Sequence, residues 1–306
     1  MSDVATEIFR KKMKNPLVLA SGILGVSRKG LERVADDGAA ALTTKSFSLE
    51  GRKGHETPIF IEAGCGALNA VGYSNPGIKH GLEELSGWDR DEPLIISITG
   101  KDEKEFGELA ALIEGSKNLG ATAVEAVISC PHTPEFGLLA GQGTPESVSK
   151  IVSAVKENTK LPAIIKLSPS VPGEVQQAKA AEDAGVDAIN MGNTLGPGMI
   201  IDIERKAPVL SFGRGGLSGP AIKPIAVRCV YDIYKAVDVP IIGTGGISNG
   251  KDAIEMMMAG ASVLGIGTAV YYRGPEVFSI IENEMKEWMG ERGFSKLREI
   301  KGAANE

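Results

Sequence analysis

The sequence predicts an α/β protein, a closed (β/α)8 TIM barrel with long loops over its C-terminal face. Three observations carry this prediction. Eight short apolar runs rich in β-branched residues recur along the 306 residues, and near-continuous apolar character suits parallel strands covered on both faces. Helical patterns alternate with these runs, which implies a parallel sheet. Eight repeats favour a closed barrel over an open doubly wound sheet, and a chain of this length fits one barrel domain over 1–306.

In chain order the strand runs read NPLVLASG (15–22), AALTTKS (40–46), PLIISITG (93–100), AVEAVISC (123–130), PAIIKLSP (162–169), AINMGNT (188–194), PIIGTGG (240–246) and VLGIGTA (263–269). Each ends in small or polar residues. Helical stretches follow, at 101–120, 144–158, 174–185 and 251–261. In the third of these, Ala178, Ala181 and Ala184 sit at helical spacing and Gly185 is a stop signal. The basic run Arg10, Lys11, Lys12 and Lys14 reads as a solvated edge. Two connections exceed what a barrel needs, 47–75 after the second strand and 195–218 after the sixth. Long loops in compact domains tend to be functional. Both fall at the face where barrel enzymes build their sites, so they are expected to cover a substrate.

Bulk properties exclude several classes. A net charge of −6 offers no basic face for nucleic acid or an anionic membrane. No apolar stretch approaches the roughly 20 residues that span a bilayer, and the N-terminus lacks the apolar core of a secretion signal. Three cysteines, Cys65, Cys130 and Cys229, make a poor disulfide framework and point to free thiols in a cytoplasmic protein. Without a CxxC pair, and with only three histidines, no internal iron–sulfur or zinc site is expected.

The loops after strands seven and eight, Gly243-Thr244-Gly245-Gly246-Ile247 and Gly265-Ile266-Gly267-Thr268-Ala269, occupy the usual phosphate position of such barrels. Glycines let backbone N–H groups approach a phosphate closely, although they also simply permit tight turns. Lys45 and Lys166 lie at strand ends, where a cation in an apolar barrel mouth is costly unless it meets negative charge. Two functions fit Lys166: a Schiff-base lysine of an aldolase, or a cation beside the electron-rich N1/O2 edge of a reduced flavin. Cys130 ends the fourth strand, before Pro131 and His132. A thiol with a pKa near 8.5 is a serviceable proton carrier, whereas Cys65 and Cys229 read as packing residues.

The motifs ASG (20–22), LNAVGYSNPG (68–77), SCP (129–131), GLLAGQGTPE (137–146), KLSPS (166–170), NTLG (193–196), GGLSGPAIKP (215–224), PIIGTGGI (240–247) and MAGASVLGIGTA (258–269) occur in order over nearly the whole chain. Together they resemble the class 1 dihydroorotate dehydrogenases, most closely the NAD-linked 1B branch. The SCPH tetrad is also similar to the pyrimidine-reducing domain of dihydropyrimidine dehydrogenase. The resemblance implies bound FMN held by Ser21, Lys45, Ser46, Ser97, Lys166, Gly192, Gly219, Gly245, Gly246, Gly267 and Thr268. Ser97 stands where the 1B branch usually has Asn. The pyrimidine is expected against Lys45, Asn69, Ala70, Val71, Gly72, Tyr73, Asn193 and Thr194. Cys130 matches the base that takes the proton from C5 of dihydroorotate while hydride leaves C6 for the flavin. The implied activity is oxidation of dihydroorotate to orotate in pyrimidine biosynthesis. With no Rossmann fingerprint after the first strand, use of NAD implies a partner subunit carrying FAD and an iron–sulfur cluster, around a homodimeric core.

The chain departs from the family pattern N-x-S-C-P-N at Val127 and His132. Valine makes no hydrogen bond, and an unpaired ligand group costs about 1–3 kcal/mol. His132 titrates in a range where it can supply a donor or tune Cys130. These departures keep an FMN-dependent enzyme of another small cyclic substrate, such as a dihydropyrimidine, as the alternative.

Overall fold

The computed structural model describes residues 2–128 and 142–306. Eight parallel strands close a barrel: β1 (Leu17–Leu19), β2 (Ala41–Thr43), β3 (Leu94–Ile98), β4 (Ala121–Val127), β5 (Ala163–Leu167), β6 (Ala188–Met191), β7 (Ile241–Thr244) and β8 (Val263–Ile266). Each pairs with its sequence neighbours, and β8 pairs with β1. Seven lie inside the predicted apolar runs, and β4 starts two residues before its run, at Ala121; every residue of β3 and β5 is buried.

The helices are α1 (Arg28–Asp36), α2 (Ile78–Leu85), α3 (Glu103–Glu114), α4 (Pro145–Asn158), α5 (Glu174–Asp183), α6 (Lys223–Tyr234), α7 (Gly250–Met258), α8 (Ala269–Arg273) and α9 (Val277–Glu291). Side chains of Ser27, Asp102, Thr144 and Asn249 cap four of them by accepting amide hydrogen bonds from the first turn. In α5, Ala178 and Ala181 are buried against the barrel, and Gly185 takes the left-handed conformation at φ +84° that ends the helix.

A hairpin, Thr6–Ile8 against Lys11–Met13, precedes β1. Its Ile8 and Met13 share a buried cluster with Val18, Ala41, Ile95, Ala123, Ile164, Ala188, Ile242 and Val263, so it plugs the N-terminal end of the barrel. The basic run rides on this hairpin with Arg10, Lys11, Lys12 and Lys14 exposed.

The two long connections cover the opposite end, and they do so jointly. Leu195–Gly198, Gly215–Ser218, Ala67–Asn69 and Phe60–Glu62 form one antiparallel sheet in that order. Leu68, Ala70 and Leu210 make a small separate core beneath it. The sequence predicts two coverings; the structure makes them one.

Candidate active site

Between this cover and the C-terminal ends of the strands lies a cavity of about 360 Å³, within the range of small-ligand sites. One wall is built from the turns after β7 and β8: Gly245, Gly246 and Ile247 face Gly267, Thr268 and Ala269. Glycine is required where the backbone turns tightly. A Cβ on Gly192 would collide with the Thr244 carbonyl oxygen, and Gly246 holds φ +75° against Lys223. At Gly267 a Cβ would meet only Ala20, at 3.8 Å, so the missing side chain there leaves room in the cavity.

Ion pairs lock both turns in place. Lys223 Nζ donates to Asp252 and Glu255 at 2.7 Å each, and Asp252 also accepts from the Ser248 amide. Burial works against the Lys223 charge, but these carboxylates outweigh it and hold its pKa above the ordinary value. Arg273 from α8 donates to the Ser248 carbonyl at 2.8 Å and pairs with Glu284, joining the second turn to the first.

The floor of the cavity is polar. Ser21 and Ser46 hydroxyls lie 3.1 Å apart, and Ser46 and Ser97 hydroxyls 2.9 Å apart. Ser97 Oγ donates to Glu125 Oε1 at 3.1 Å. Asn190 Nδ2 donates to Glu125 Oε2 at 2.6 Å, and Thr244 Oγ1 donates to Asn190 Oδ1 at 2.8 Å. Lys166 Nζ stands 3.9 Å from Glu125 Oε1. Seven successive strands or strand ends thus contribute to one connected layer, as buried polar groups must in order to be tolerated. Lys166 facing a buried carboxylate is an ion-pair arrangement, which suits a fixed cation better than a Schiff-base nucleophile.

The cover supplies the opposite wall with Asn69, Val71, Gly72 and Tyr73. Asn75 holds this segment by donating to the Tyr73 carbonyl at 2.7 Å and to Ser48 Oγ at 2.9 Å. His55 stacks flat on Phe212 with ring centroids 4.0 Å apart, tying one long loop to the other. Asn193 and Thr194 close the side above β6, where the Asn193 side chain accepts from the Thr194 amide at 2.8 Å.

Of the predicted flavin positions, Ser21, Lys45, Ser46, Lys166, Gly192, Gly219, Gly245, Gly246, Gly267 and Thr268 all line this cavity. Ser97 does not: it is fully buried beneath Ser46 and spends its hydroxyl proton on Glu125. Of the predicted pyrimidine positions, Lys45, Asn69, Val71, Gly72, Tyr73, Asn193 and Thr194 line it, whereas Ala70 turns into the small core under the cover. Val127 is on the wall. Cys130 and His132 lie outside the described residues. Glu125, Asn190 and Thr244 escaped the sequence reading. The available signal was a carboxylate inside an apolar strand run, which is tolerable only when paired.

Fold and cavity together define a TIM-barrel protein with a ligand site at the C-terminal face, one end cradled by glycine turns and the other lined by amides and lysines. The chain belongs to the dihydroorotate dehydrogenase family, whose model matches residues 3–289. It is 43% identical over 302 residues to the dihydroorotate dehydrogenase B (NAD(+)) catalytic subunit of Methanothermobacter thermautotrophicus, covering 98% of each chain. The catalytic subunits of the same name from Pyrococcus furiosus and Methanocaldococcus jannaschii are 43% and 44% identical, each again over 98% of both chains. Among the described residues, no helix is long and apolar enough to cross a membrane.

Proposed function

We propose that this chain oxidises dihydroorotate to orotate in pyrimidine biosynthesis, with FMN as its resident cofactor. The observation that carries the reading is the cavity itself: a glycine-walled end and an amide-lined end meet over a floor containing two lysines. The residues fit such a flavin. The turns at 245–246 and 267–268 suit its phosphate, and the space left at Gly267 admits it. Ser21, Ser46, Lys45 and Lys166 offer hydroxyl and cationic partners to its ring edge. When bound, FMN supplies the hydride acceptor.

The chain's own side chains do the rest. Asn69 and Asn193 each carry a donor and an acceptor, which match the alternating N–H and C=O groups of a pyrimidine edge. Lys45 and Lys166 offset negative charge on substrate and cofactor. Cys130, at the end of the β4 run, takes the proton from C5 as base. Anaerobic titration with dihydroorotate tests the reading. Bleaching of the flavin absorbance is expected, and persistent absorbance at saturating substrate refutes it.

The reading extends to a partner subunit bearing FAD and an iron–sulfur cluster, a homodimeric core and a cytoplasmic location. For the partner subunit, the support is the name of the relatives, each a catalytic subunit. Phe60 and Tyr271 line the cavity and pack against each other at 4.7 Å, and they remain partly exposed, giving such a partner an apolar approach to the flavin. Co-purification with a second chain and NAD-linked turnover by the complex are expected. Full NAD-linked activity from the isolated chain counts against it.

A further inference from the structure

We propose that Glu125 is a positioning residue that sets the charge Lys166 presents to the bound flavin, and thereby the flavin's reduction potential. The proposal rests on the flavin reading above. Glu125 is 1% exposed and is absent from the cavity wall, so no ligand accounts for it. An ionised carboxylate has no proton to give and must be met by donors. Ser97 meets one oxygen and Asn190 the other. Lys166, itself 4% exposed, is the nearby cation.

The distance matters. At 3.9 Å the Lys166 ammonium is too far from Oε1 for a hydrogen bond, yet close enough for charge compensation. Glu125 therefore faces the Lys166 ammonium without capturing its N–H groups. Those groups remain available to the cavity that Lys166 lines.

A second consequence runs along the hydroxyls. The single Ser97 proton goes to Glu125, so Ser46 must donate to Ser97 and Ser21 must donate to Ser46. The carboxylate thus orders the whole chain, and Ser21, at the cavity wall, presents oxygen lone pairs rather than a proton. One buried group specifies both a cation and an acceptor beneath the ring.

The test is the midpoint potential of the bound flavin, measured by anaerobic spectroelectrochemistry in the wild type, E125Q, K166M and the double variant. Glutamine keeps the shape and removes the charge, leaving the Lys166 cation unbalanced beneath a ring that gains negative charge on reduction. E125Q is expected to favour the reduced flavin over the oxidised by about tenfold, a positive shift of about 30 mV for a two-electron couple. In K166M there is no cation for Glu125 to balance, so adding E125Q is expected to leave the K166M potential unchanged. A wild-type potential in E125Q overturns the proposal. So does an equal shift in both backgrounds, which would make Glu125 act without Lys166. Should E125Q alone fail to fold, a difference of tenfold or more between K166M and the double variant overturns it, and identical potentials support it. Wild-type protein that binds no added FMN would instead overturn the flavin reading itself.

Discussion

Replacing Leu210 with alanine tests the idea that the two long loops act as one cover. Leu210 is 3% exposed and fills the space beside Gly215, where an added Cβ would fall 2.8 Å from its Cδ1. Among the described residues its buried cluster partners are Leu68 and Ala70, with Ile61, Ala63, Ile200, Phe212 and Leu217 partly buried around them. Leucine-to-alanine changes in protein cores cost about 2–5 kcal/mol. In so small a cluster the low end applies, about 2–3 kcal/mol. This core is separate from that of the barrel, so the cost falls on local opening of the cover rather than on global unfolding. At 1.4 kcal/mol per factor of ten, amide exchange in the cover should accelerate about 30- to 150-fold. Hydrogen–deuterium exchange read by mass spectrometry gives the answer directly. Peptides over 60–69 and 215–218 should lose protection together, while those over 94–98 and 241–244 keep theirs. Equal acceleration in the barrel strands, or an unmoved cover, would refute the argument. KM for dihydroorotate should rise with kcat at saturation little changed, because the open form binds poorly and the floor is untouched.

Val127→Asn places a donor on the cavity wall beside Lys166. It should tighten orotate binding by fivefold or more while lowering the melting temperature of the unliganded protein, and unchanged orotate affinity by flavin perturbation would show that the ligand does not reach this wall. Gly192→Ala drives a methyl into the Thr244 carbonyl. Less than a tenth of the wild-type flavin content is expected in the purified protein, and a full complement would refute the close packing of β6 on β7. Burial above all, with Glu174 adding to it against Arg228, pushes the Cys229 thiol up to about 11. Thiol reagents at pH 8 should therefore label exposed Cys65 and spare Cys229. Because the folded state holds this proton more tightly than the unfolded one, its stabilising effect is complete below the ordinary thiol pKa of 9.0 and fades as pH rises toward about 11. The melting temperature should fall more steeply across that window in the wild type than in Cys229→Ala, and parallel curves would discount the burial.

The barrel was legible because its strands advertise themselves locally. Runs such as PAIIKLSP bury every residue of β5, and burial on both faces leaves an uninterrupted apolar signature. The glycine turns were legible because their order along the chain matches their place on the barrel. The cover sheet was not. Its strands read FIE, ALN, LGPG and GGLS, too short and too rich in Gly and Pro to show alternation. They exist as strands because they meet one another: Leu68 pairs with Leu217 from 149 residues further along the chain. Gly216 is needed at that pairing because a side chain there would strike Thr194, a fact about the neighbouring loop that no local pattern contains.

The polar floor was hidden differently, although its pattern is periodic. Inward-facing residues of a strand recur every two positions. Ile95, Ala123, Ile164, Ala188 and Ile242 all belong to the cluster that receives the N-terminal hairpin. Two positions on in each strand stand Ser97, Glu125, Lys166, Asn190 and Thr244, the members of the buried network. A single step along five strands therefore takes the interior from an apolar plug to a polar layer, and Val127, one step beyond Glu125, reaches the cavity wall. Ser97 belongs to the middle of this stack, which is why it meets Glu125 from the adjacent strand and does not reach the cavity wall. Reading each strand alone, Glu125 is an anomaly in an apolar run. Aligned with the other four by this two-residue offset, it falls in the same layer as Lys166, and the charge that a buried lysine requires has a source.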